Sequence, residues 1–377
     1  MTRRLRNLRA QISGADFIRA GAVPKSMQIC HSSACIDCAK MESAGQQFRI
    51  IFLSPAYDRP AGGIKVIYRQ SEILSANGIE SGVFHPGDPD FRCSWFHHQA
   101  TLLKLGHFNT RRDFLVFPEL WAGLAAKFCI PSGIRYAIYA QNGYLATSRF
   151  GFSREDLNLA YERADLVLSI SADTTNIILL AFPQVQTERI LRIFHSVPSI
   201  FSPGHKRRLI SFMPRKLPDH ADRVRHYLDG RMPEGWELQP ITGLDETGVA
   251  EMLAASSIFL SFSDHEGCPL PPIEAALAGN IVVGYTGQGA KEYFRRPIFR
   301  EVANGDYVSF VGQIRQAILD VENGLTATDD FAGQQHQLSQ THSLQNETEH
   351  VLQFADRARK IMANDRGWSE CGPSSSD

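Results

Sequence analysis

Two glutamates have a spacing and a setting that could bind the hydroxyl groups of a ligand at the start of a helix. Glu266 and Glu274 are separated by seven residues, and the run between them carries Gly267 and a Pro-Pro pair. Because proline is favoured at the first position of a helix, Pro272 predicts a helix that holds Glu274 in its first turn. The helix dipole stabilises a carboxylate there, and that carboxylate can accept two hydrogen bonds from a vicinal diol such as a ribose. Amides of the loop and the helix start could meet phosphate oxygens.

This segment resembles a known family. Glu266 and Glu274, with the Ala-Leu-Ala-Gly-Asn-Ile-Val-Val run that follows, look like the Glu-x7-Glu signature of retaining glycosyltransferases of family 4, the group 1 glycosyl transferases of GT-B fold. The Gly-rich turn at 286–292 and the Gly-Gly loop at 61–66 are similar to two further segments of that family, in the same order. The resemblance covers roughly residues 48 to 300.

The resemblance implies a role for each matching residue. Glu274 would bind the donor ribose, and Glu266 would lie beside the transferred sugar as part of the catalytic set. Gly62 and Gly63 would let backbone amides reach the donor diphosphate, because glycine permits a close approach. The other donor-binding candidates lie in the loop after Glu266 and in a turn of the first domain where many members have a histidine: Gly267, Cys268, Leu270, Gln141 and Asn142.

The chain departs from the family pattern at two points. Family members usually have an arginine and a lysine a few residues apart after the first strand of the second domain, whereas Arg215 and Lys216 are adjacent here. One of these two catalytic candidates is expected to neutralise the diphosphate, and the sequence leaves open which one. Pro269 stands where the family often has glycine, and this removes one amide donor.

Each of these motifs also has an interpretation without a ligand. A Glu-x7-Glu spacing without the Pro-Pro helix start would indicate two surface acids, Gly62-Gly63 would be a tight turn, and the basic pair a solvated face. Asp88-Pro89-Asp90 could be a metal-binding Asp-x-Asp motif, but its proline and the preceding Gly87 favour a turn. The cysteine and histidine cluster at 30–38 lacks the second ligand pair of a zinc site. No metal and no cofactor is therefore expected, the nucleotide sugar being a co-substrate.

Composition and charge exclude several classes of protein. The 377 residues are 43% hydrophobic and 21% charged, with a formal net charge of −1, so no global positive field would hold a nucleic acid. Seven cysteines, odd in number and mostly scattered, favour reduced thiols in a cytoplasmic protein. The basic residues near the amino end favour a disordered extension, and contact with the anionic inner face of a membrane is the alternative.

Apolar runs such as Leu209–Phe212 and Ile258–Ser261 alternate with helical patterns such as 63–77, which Gly78 would end in a left-handed cap. This alternation is typical of parallel βαβ construction. The sequence therefore predicts an α/β protein with two Rossmann-like, doubly wound parallel-sheet domains that face a cleft. The expected organisation is an extension over 1–46, an acceptor-side domain over 47–198, a donor-side domain over 207–330, a helix over 340–365 and a disordered tail over 366–377.

Taken with the resemblance, these features predict a metal-independent, retaining glycosyltransferase. Its donor would be a nucleotide-diphosphate sugar, and its acceptor an unknown glycan, lipid-linked or small molecule, in a setting such as bacterial surface polysaccharide synthesis. A nucleotide-sugar epimerase and a catalytically silent sugar-nucleotide-binding protein of the same fold are the alternatives. A nicotinamide dehydrogenase is disfavoured, because no Gly-x-Gly-x-x-Gly follows the first strand.

Overall fold

The computed structural model describes residues 22–29, 48–104, 106–148 and 150–366, which form two compact units. The first unit holds the described residues up to Ser169, Thr175–Ile193 and those from Thr348 onward. The second unit holds Ile170–Thr174 and Phe194–Glu347. The expected tail over 367–377 and most of the expected extension lie outside the described residues.

The first unit is built on a parallel sheet of seven strands in the order β4-β3-β2-β6-β7-β8-β9. Its central strands are apolar except for Arg49 and Asp113, which are the first residues of two of them, because helices cover both faces of a parallel sheet. The strands of this unit are β1 (Met27–Ile29), β2 (Arg49–Leu53), β3 (Glu80–Phe84), β4 (Leu102–Leu103), β5 (Gly106–Phe108), β6 (Asp113–Pro118), β7 (Tyr136–Ala140), β8 (Leu166–Ser169) and β9 (Ile190–Arg192).

Helices connect these strands. The connecting helices are α1 (Gly62–Ala76), α2 (Ala122–Ser132), α3 (Arg154–Arg163) and α4 (Ala172–Ala181). The predicted end of α1 is confirmed, since Gly78 follows it with φ of 75°, a left-handed conformation that glycine adopts without strain.

One part of the predicted extension is ordered, which corrects the prediction for residues 1–46. β1 pairs in parallel with β5, and Met27 is 5% exposed within the apolar core of the first unit. A three-residue strand is too short to show a periodic pattern, so this pairing could not be predicted from the sequence. Removing residues up to 46 would therefore remove part of the core.

The second unit contains a parallel sheet of five strands in the order β11-β10-β12-β13-β14. These strands are β10 (Leu209–Phe212), β11 (Glu237–Pro240), β12 (Ile258–Glu266), β13 (Ile281–Gln288) and β14 (Phe299–Glu301). The helices that follow the second-unit strands, together with the final helix, are α5 (Pro218–Leu228), α6 (Glu246–Ala255), α7 (Leu270–Leu277), α8 (Tyr307–Glu322), α9 (Asp329–Thr341) and α10 (Leu344–Arg366). α10 begins in the second unit and continues in the first. Among the described helices, none is both long and apolar enough to cross a membrane.

A buried ion pair joins β14 to α8. The Arg300 side chain is 0% exposed, and its Nη2 lies 2.6 Å from Oδ2 of Asp320. Burial lowers the pKa of Arg300, and the Asp320 charge acts against that shift. Removing one partner of such a pair leaves an uncompensated charge, whereas replacing both partners by apolar side chains of similar volume is often close to neutral.

We therefore expect Asp320→Asn to lower the free energy of unfolding by about 3 kcal/mol. The double variant Arg300→Met with Asp320→Leu should cost much less, because no charge then remains buried. Urea unfolding of both variants checks this. An Asp320→Asn protein as stable as the wild type would show that the pair is not coupled to the fold.

Candidate functional site

Glu266 lies at the carboxyl edge of the second sheet, paired with a lysine. Its carboxylate Oε1 forms an ion pair with Nζ of Lys216, and the two side chains are 11% and 23% exposed. β10 and β12 are parallel neighbours, so the segments that follow them meet at the same edge of the sheet. The sequence predicted Glu266 in a loop after Ser261, but β12 continues to Glu266 itself.

Of the two adjacent cations, the structure brings Lys216 to the site. Arg215 is exposed, whereas Lys216 is partly buried beside Glu266. Lys216 is therefore the cation that lies beside the candidate catalytic carboxylate Glu266. The sequence alone did not distinguish Lys216 from Arg215 in this position.

The backbone around Glu266 is unusually constrained. His265 has φ of 44° and Gln288 has φ of 74°, both in a region that residues other than glycine seldom adopt. Glu266 pairs with Gln288 across β12 and β13, after an irregularity in the register that begins at Ser263. Strained backbone of this kind costs about 1–3 kcal/mol per residue and clusters at functional sites.

Gly289 fixes the loop that follows Glu266. A Cβ atom at Gly289 would overlap the carbonyl oxygen of Gly267, so the two backbone segments touch directly. Substitution would have to displace backbone, which cannot yield as a flexible side chain does.

We expect Gly289→Ala to move the Gly267 loop and to weaken nucleotide binding about tenfold or more, with a loss of about 1–3 kcal/mol in stability. Gly312→Ala is the matched control: Gly312 is exposed in α8 and has no atom within 4 Å of its added Cβ. The control should be neutral or slightly stabilising, because alanine is the better helix former. Thermal unfolding and nucleotide titration of both variants check this, and an unaffected Gly289→Ala would contradict it.

Glu274 lies in the second turn of α7, which corrects the prediction that it lies in the first. The helix begins at Leu270 with Pro269 as its N-cap residue, so Glu274 is the fifth helical residue. The first four amides of a helix have no partner within it, so proline is tolerated there. Counted from the N-cap residue Pro269, three of those four positions are proline here, and neither Pro271 nor Pro272 needs to be the first residue of the helix.

This helix start also offers fewer amides than the sequence analysis expected. Pro269, Pro271 and Pro272 carry no N–H, so of the first four positions Leu270 alone can donate a hydrogen bond. A diphosphate at this edge must therefore obtain much of its stabilisation from cations such as Lys216.

Tyr293 is hydrogen-bonded to the loop before α7, and no sequence motif indicated it. Its hydroxyl donates a hydrogen bond to the carbonyl oxygen of Pro269 at 3.0 Å. Burial raises the pKa of Tyr293 far above its ordinary value, and the nearby Cys268 and the carboxylates of Glu292, Glu266 and Glu274 add to the rise. Tyr293 thus stays neutral and interacts with both candidate glutamates, so these lie around one loop. The usable signal was an aromatic residue directly after the Gly-rich turn.

The first-unit candidates also meet one another. Gln141 Nε2 donates a hydrogen bond to the carbonyl oxygen of Gly63 at 3.1 Å, and a Cβ at Gly63 would overlap Gln141 Oε1. Gly62, in contrast, has open space where its Cβ would lie. Asn142 Oδ1 accepts a hydrogen bond from the Tyr144 amide at 3.0 Å. Gly63 is therefore needed for contact with Gln141, while the backbone at Gly62 remains open to a ligand.

A second residue missed by the sequence analysis, Glu119, lies beneath this turn. It directly follows β6 and is 4% exposed. Its Oε2 accepts the Gln141 amide at 3.3 Å, and its Oε1 accepts the Asn142 amide at 3.1 Å. The available signal was an acid that ends a strongly apolar strand.

The possible metal ligands do not converge. Asp88 and Asp90 are exposed, and the Phe91 amide donates to the Asp88 carbonyl at 3.0 Å, which gives the expected turn. Within the described part of the chain, no group of three or more His, Cys, Asp or Glu side chains could hold a metal ion. The cysteine cluster at 30–38 lies outside the described residues.

Comparison with known proteins yields one relative in sequence and several in structure. No protein-family model matches the chain. An alpha-1,6-glucosyltransferase of Actinobacillus pleuropneumoniae serotype 7 (strain AP76) is 27% identical over 138 residues, which cover 34% of this chain and 41% of that protein. The match thus spans less than half of the relative.

The structural matches cover most of the chain. HepE of Anabaena, solved in complex with UDP-glucose, has a TM-score of 0.60 at 13% identity, covering 82% of this chain and 100% of that one. Sucrose-phosphate synthase of Thermosynechococcus elongatus has a TM-score of 0.61 at 11% identity, covering 84% of this chain and 100% of that one. The lipopolysaccharide outer core galactosyltransferase WaaB has a TM-score of 0.56 at 13% identity, covering 83% of this chain and 100% of that one. The chain therefore has the α/β fold of the GT-B glycosyltransferases, with two Rossmann-like parallel sheets.

Proposed function

We propose that this protein is a glycosyltransferase that moves a sugar from a nucleotide-diphosphate donor to an acceptor, with retention of the anomeric configuration. The observation that carries the proposal is the set at the carboxyl edge of the second sheet. There Lys216 pairs with Glu266, and both Glu266 and Glu274 interact electrostatically with Tyr293. Ligands of open α/β sheets bind at this edge, and a nucleotide sugar needs a cation and a diol acceptor.

Each residue has a distinct role in the proposed reaction. Glu274 accepts hydrogen bonds from the donor ribose, and Lys216 neutralises charge on the leaving diphosphate. Glu266 lies beside the transferred sugar. The acceptor hydroxyl attacks the anomeric carbon from the face that the diphosphate leaves, and its proton passes to a diphosphate oxygen. The configuration is then retained without a protein nucleophile.

UDP-glucose is the first donor to test, because HepE was solved with it and the sequence relative is a glucosyltransferase. We assign the donor to the second unit and the acceptor to the first, with Gln141 and Asn142 contacting the sugar. A glycan, a lipid-linked molecule or a small molecule could be the acceptor. Synthesis of a surface polysaccharide would suit a bacterial enzyme of this type.

The experiment combines UDP release from UDP-glucose with an acceptor screen and NMR assignment of the product's anomeric carbon. Retained configuration supports the proposal. Release of an epimerised sugar without transfer would favour an epimerase, and saturable binding without turnover would favour a silent binding protein. An inverted product would contradict the retaining mechanism.

We also propose that turnover needs no divalent metal, since Lys216 provides charge at the diphosphate site. Activity should persist in EDTA. A complete loss that magnesium restores would contradict this and would make Asp88 and Asp90 the first candidate ligands.

A cytoplasmic location, with peripheral contact at the inner membrane face through the basic amino-terminal residues, is proposed on charge alone. Co-sedimentation with anionic vesicles that weakens as salt rises would support it. Equal recovery with neutral vesicles would argue against it.

A further inference from the structure

Glu119 is a buried carboxylate that has no role in the reaction proposed above. It lies at the carboxyl end of β6, and no ion pair to it occurs among the described residues. A buried charge without a cation is costly unless hydrogen bonds satisfy it. Two backbone amides do so here, from Gln141 and Asn142.

These two bonds act on the part of the first unit that the proposed function uses. Each carboxylate oxygen accepts one amide of the turn after β7, so the turn is held at two consecutive residues. The same turn reaches α1 through the bond from Gln141 Nε2 to the Gly63 carbonyl. Glu119 therefore links the ends of β6 and β7 to the start of α1.

An ionised carboxylate accepts both amides of the turn. Protonation leaves one carboxyl oxygen as a weaker acceptor that carries a hydrogen, and glutamine sets its amino group against one of the two backbone donors. The Gln141 amide also donates to the Tyr139 carbonyl at 3.2 Å, so Glu119 shares that amide with β7. The ionisation state of Glu119 therefore changes how firmly the turn is held.

We propose that Glu119 is a positioning residue of the reaction, whose carboxylate fixes the Gln141–Asn142 turn against Gly63. The inference rests on the proposed function, which assigns this turn to the sugar. Glu119 acts through the turn and touches no reacting atom.

The pKa of Glu119 also lies near neutral pH. Burial raises the pKa of Glu119 to about 7, against the lowering effect of the backbone amides that it accepts. From α3, the buried Tyr161 faces it, and the Glu119 charge adds to the rise that burial causes in the pKa of that phenol, which therefore stays neutral. From the β7 side, Gln141 and Asn142 carry no charge. The turn should be held above about pH 7 and loosened below it.

The test compares the full chain with Glu119→Gln and Glu119→Asp, and with Glu72→Gln as a matched control. Glu72 also accepts a backbone amide in the first unit, from Gln99, but in an exposed setting. Glu119→Gln should lower kcat/KM for UDP-glucose about tenfold or more while UDP affinity changes less than about twofold. Glu119→Asp, which keeps the charge, should recover part of the loss, and Glu72→Gln should behave as wild type.

The pH profile separates positioning from a merely structural role. Wild-type kcat/KM should fall as pH drops below about 7, and Glu119→Gln should lack that limb. Hydrogen exchange of the Gln141 and Asn142 amides should be faster in Glu119→Gln, and faster in wild type at pH 5.5 than at pH 8 after correction for intrinsic rates.

Two outcomes would overturn the proposal: an unchanged pH limb in Glu119→Gln, or unchanged amide protection at the turn. If Glu119→Gln fails to fold, the wild-type exchange comparison and Glu119→Asp decide it. A wild-type protein that turns over no nucleotide sugar would defeat the proposed function, whereas the exchange experiment would still show whether Glu119 holds the turn.

Discussion

Glu274→Gln is expected to weaken binding of a nucleoside diphosphate or its sugar by about tenfold or more. A hydrogen bond to a charged group contributes about 1.5–3 kcal/mol, and about 1.4 kcal/mol corresponds to a factor of ten in affinity. Glutamine keeps the shape of the side chain but removes the charge. Because Glu274 is half-buried in the second turn of α7, the helix should persist with little change in thermal stability.

Isothermal titration with UDP measures the effect. Glu251→Gln is the control, since Glu251 is an exposed glutamate in α6 of the same unit, and it should bind UDP as wild type does. Unchanged UDP affinity in Glu274→Gln would exclude the ribose role. Normal turnover in that variant would further contradict the use of this edge as the donor site.

Lys216→Met is expected to lower kcat by about a hundredfold or more, the size of effect seen when one group that stabilises transition-state charge is removed. Methionine keeps much of the length of the stem but leaves Glu266, whose side chain is 11% exposed, without its partner. Arg215→Met should have a smaller effect, because Arg215 is exposed. Steady-state rates of UDP release compare the two variants.

Glu266→Gln distinguishes charge neutralisation from sugar contact. The variant should leave UDP affinity nearly intact and lower turnover, since the proposed partner of Glu266 is the transferred sugar. The double variant Lys216→Met with Glu266→Gln should regain stability, because no unpaired charge remains, without regaining activity. A double variant as active as wild type would show that the pair has only a structural role.

The two sheets could be predicted because buried parallel strands are almost continuously apolar. Leu209–Phe212 was predicted with the observed bounds, and the other central strands within a few residues. β12 extends five residues beyond the predicted end, since its last residues are polar and pair with β13 at an irregular register. α9 was missed because its Gln-rich sequence shows little apolar periodicity.

The candidate site was predictable in its residue types but not in its contacts. Glu266 and Lys216 lie fifty residues apart in sequence, and only the neighbouring positions of β10 and β12 bring them together. The position of Glu274 was misjudged because prolines are tolerated throughout the first turn of a helix. Glu119 carries no motif, and its significance follows from burial and from the two amides that it accepts.

The measurement that tests the central claim most directly is titration of the wild type, Glu274→Gln, Lys216→Met and Glu119→Gln with UDP and UDP-glucose. The account predicts saturable binding of both ligands to the wild type. Glu274→Gln should lose about tenfold or more in affinity for both, Lys216→Met should also bind more weakly, and Glu119→Gln should bind UDP normally. A wild type that binds neither these nor any other nucleoside diphosphate, or four proteins with equal affinities, would contradict a donor site at the carboxyl edge of the second sheet.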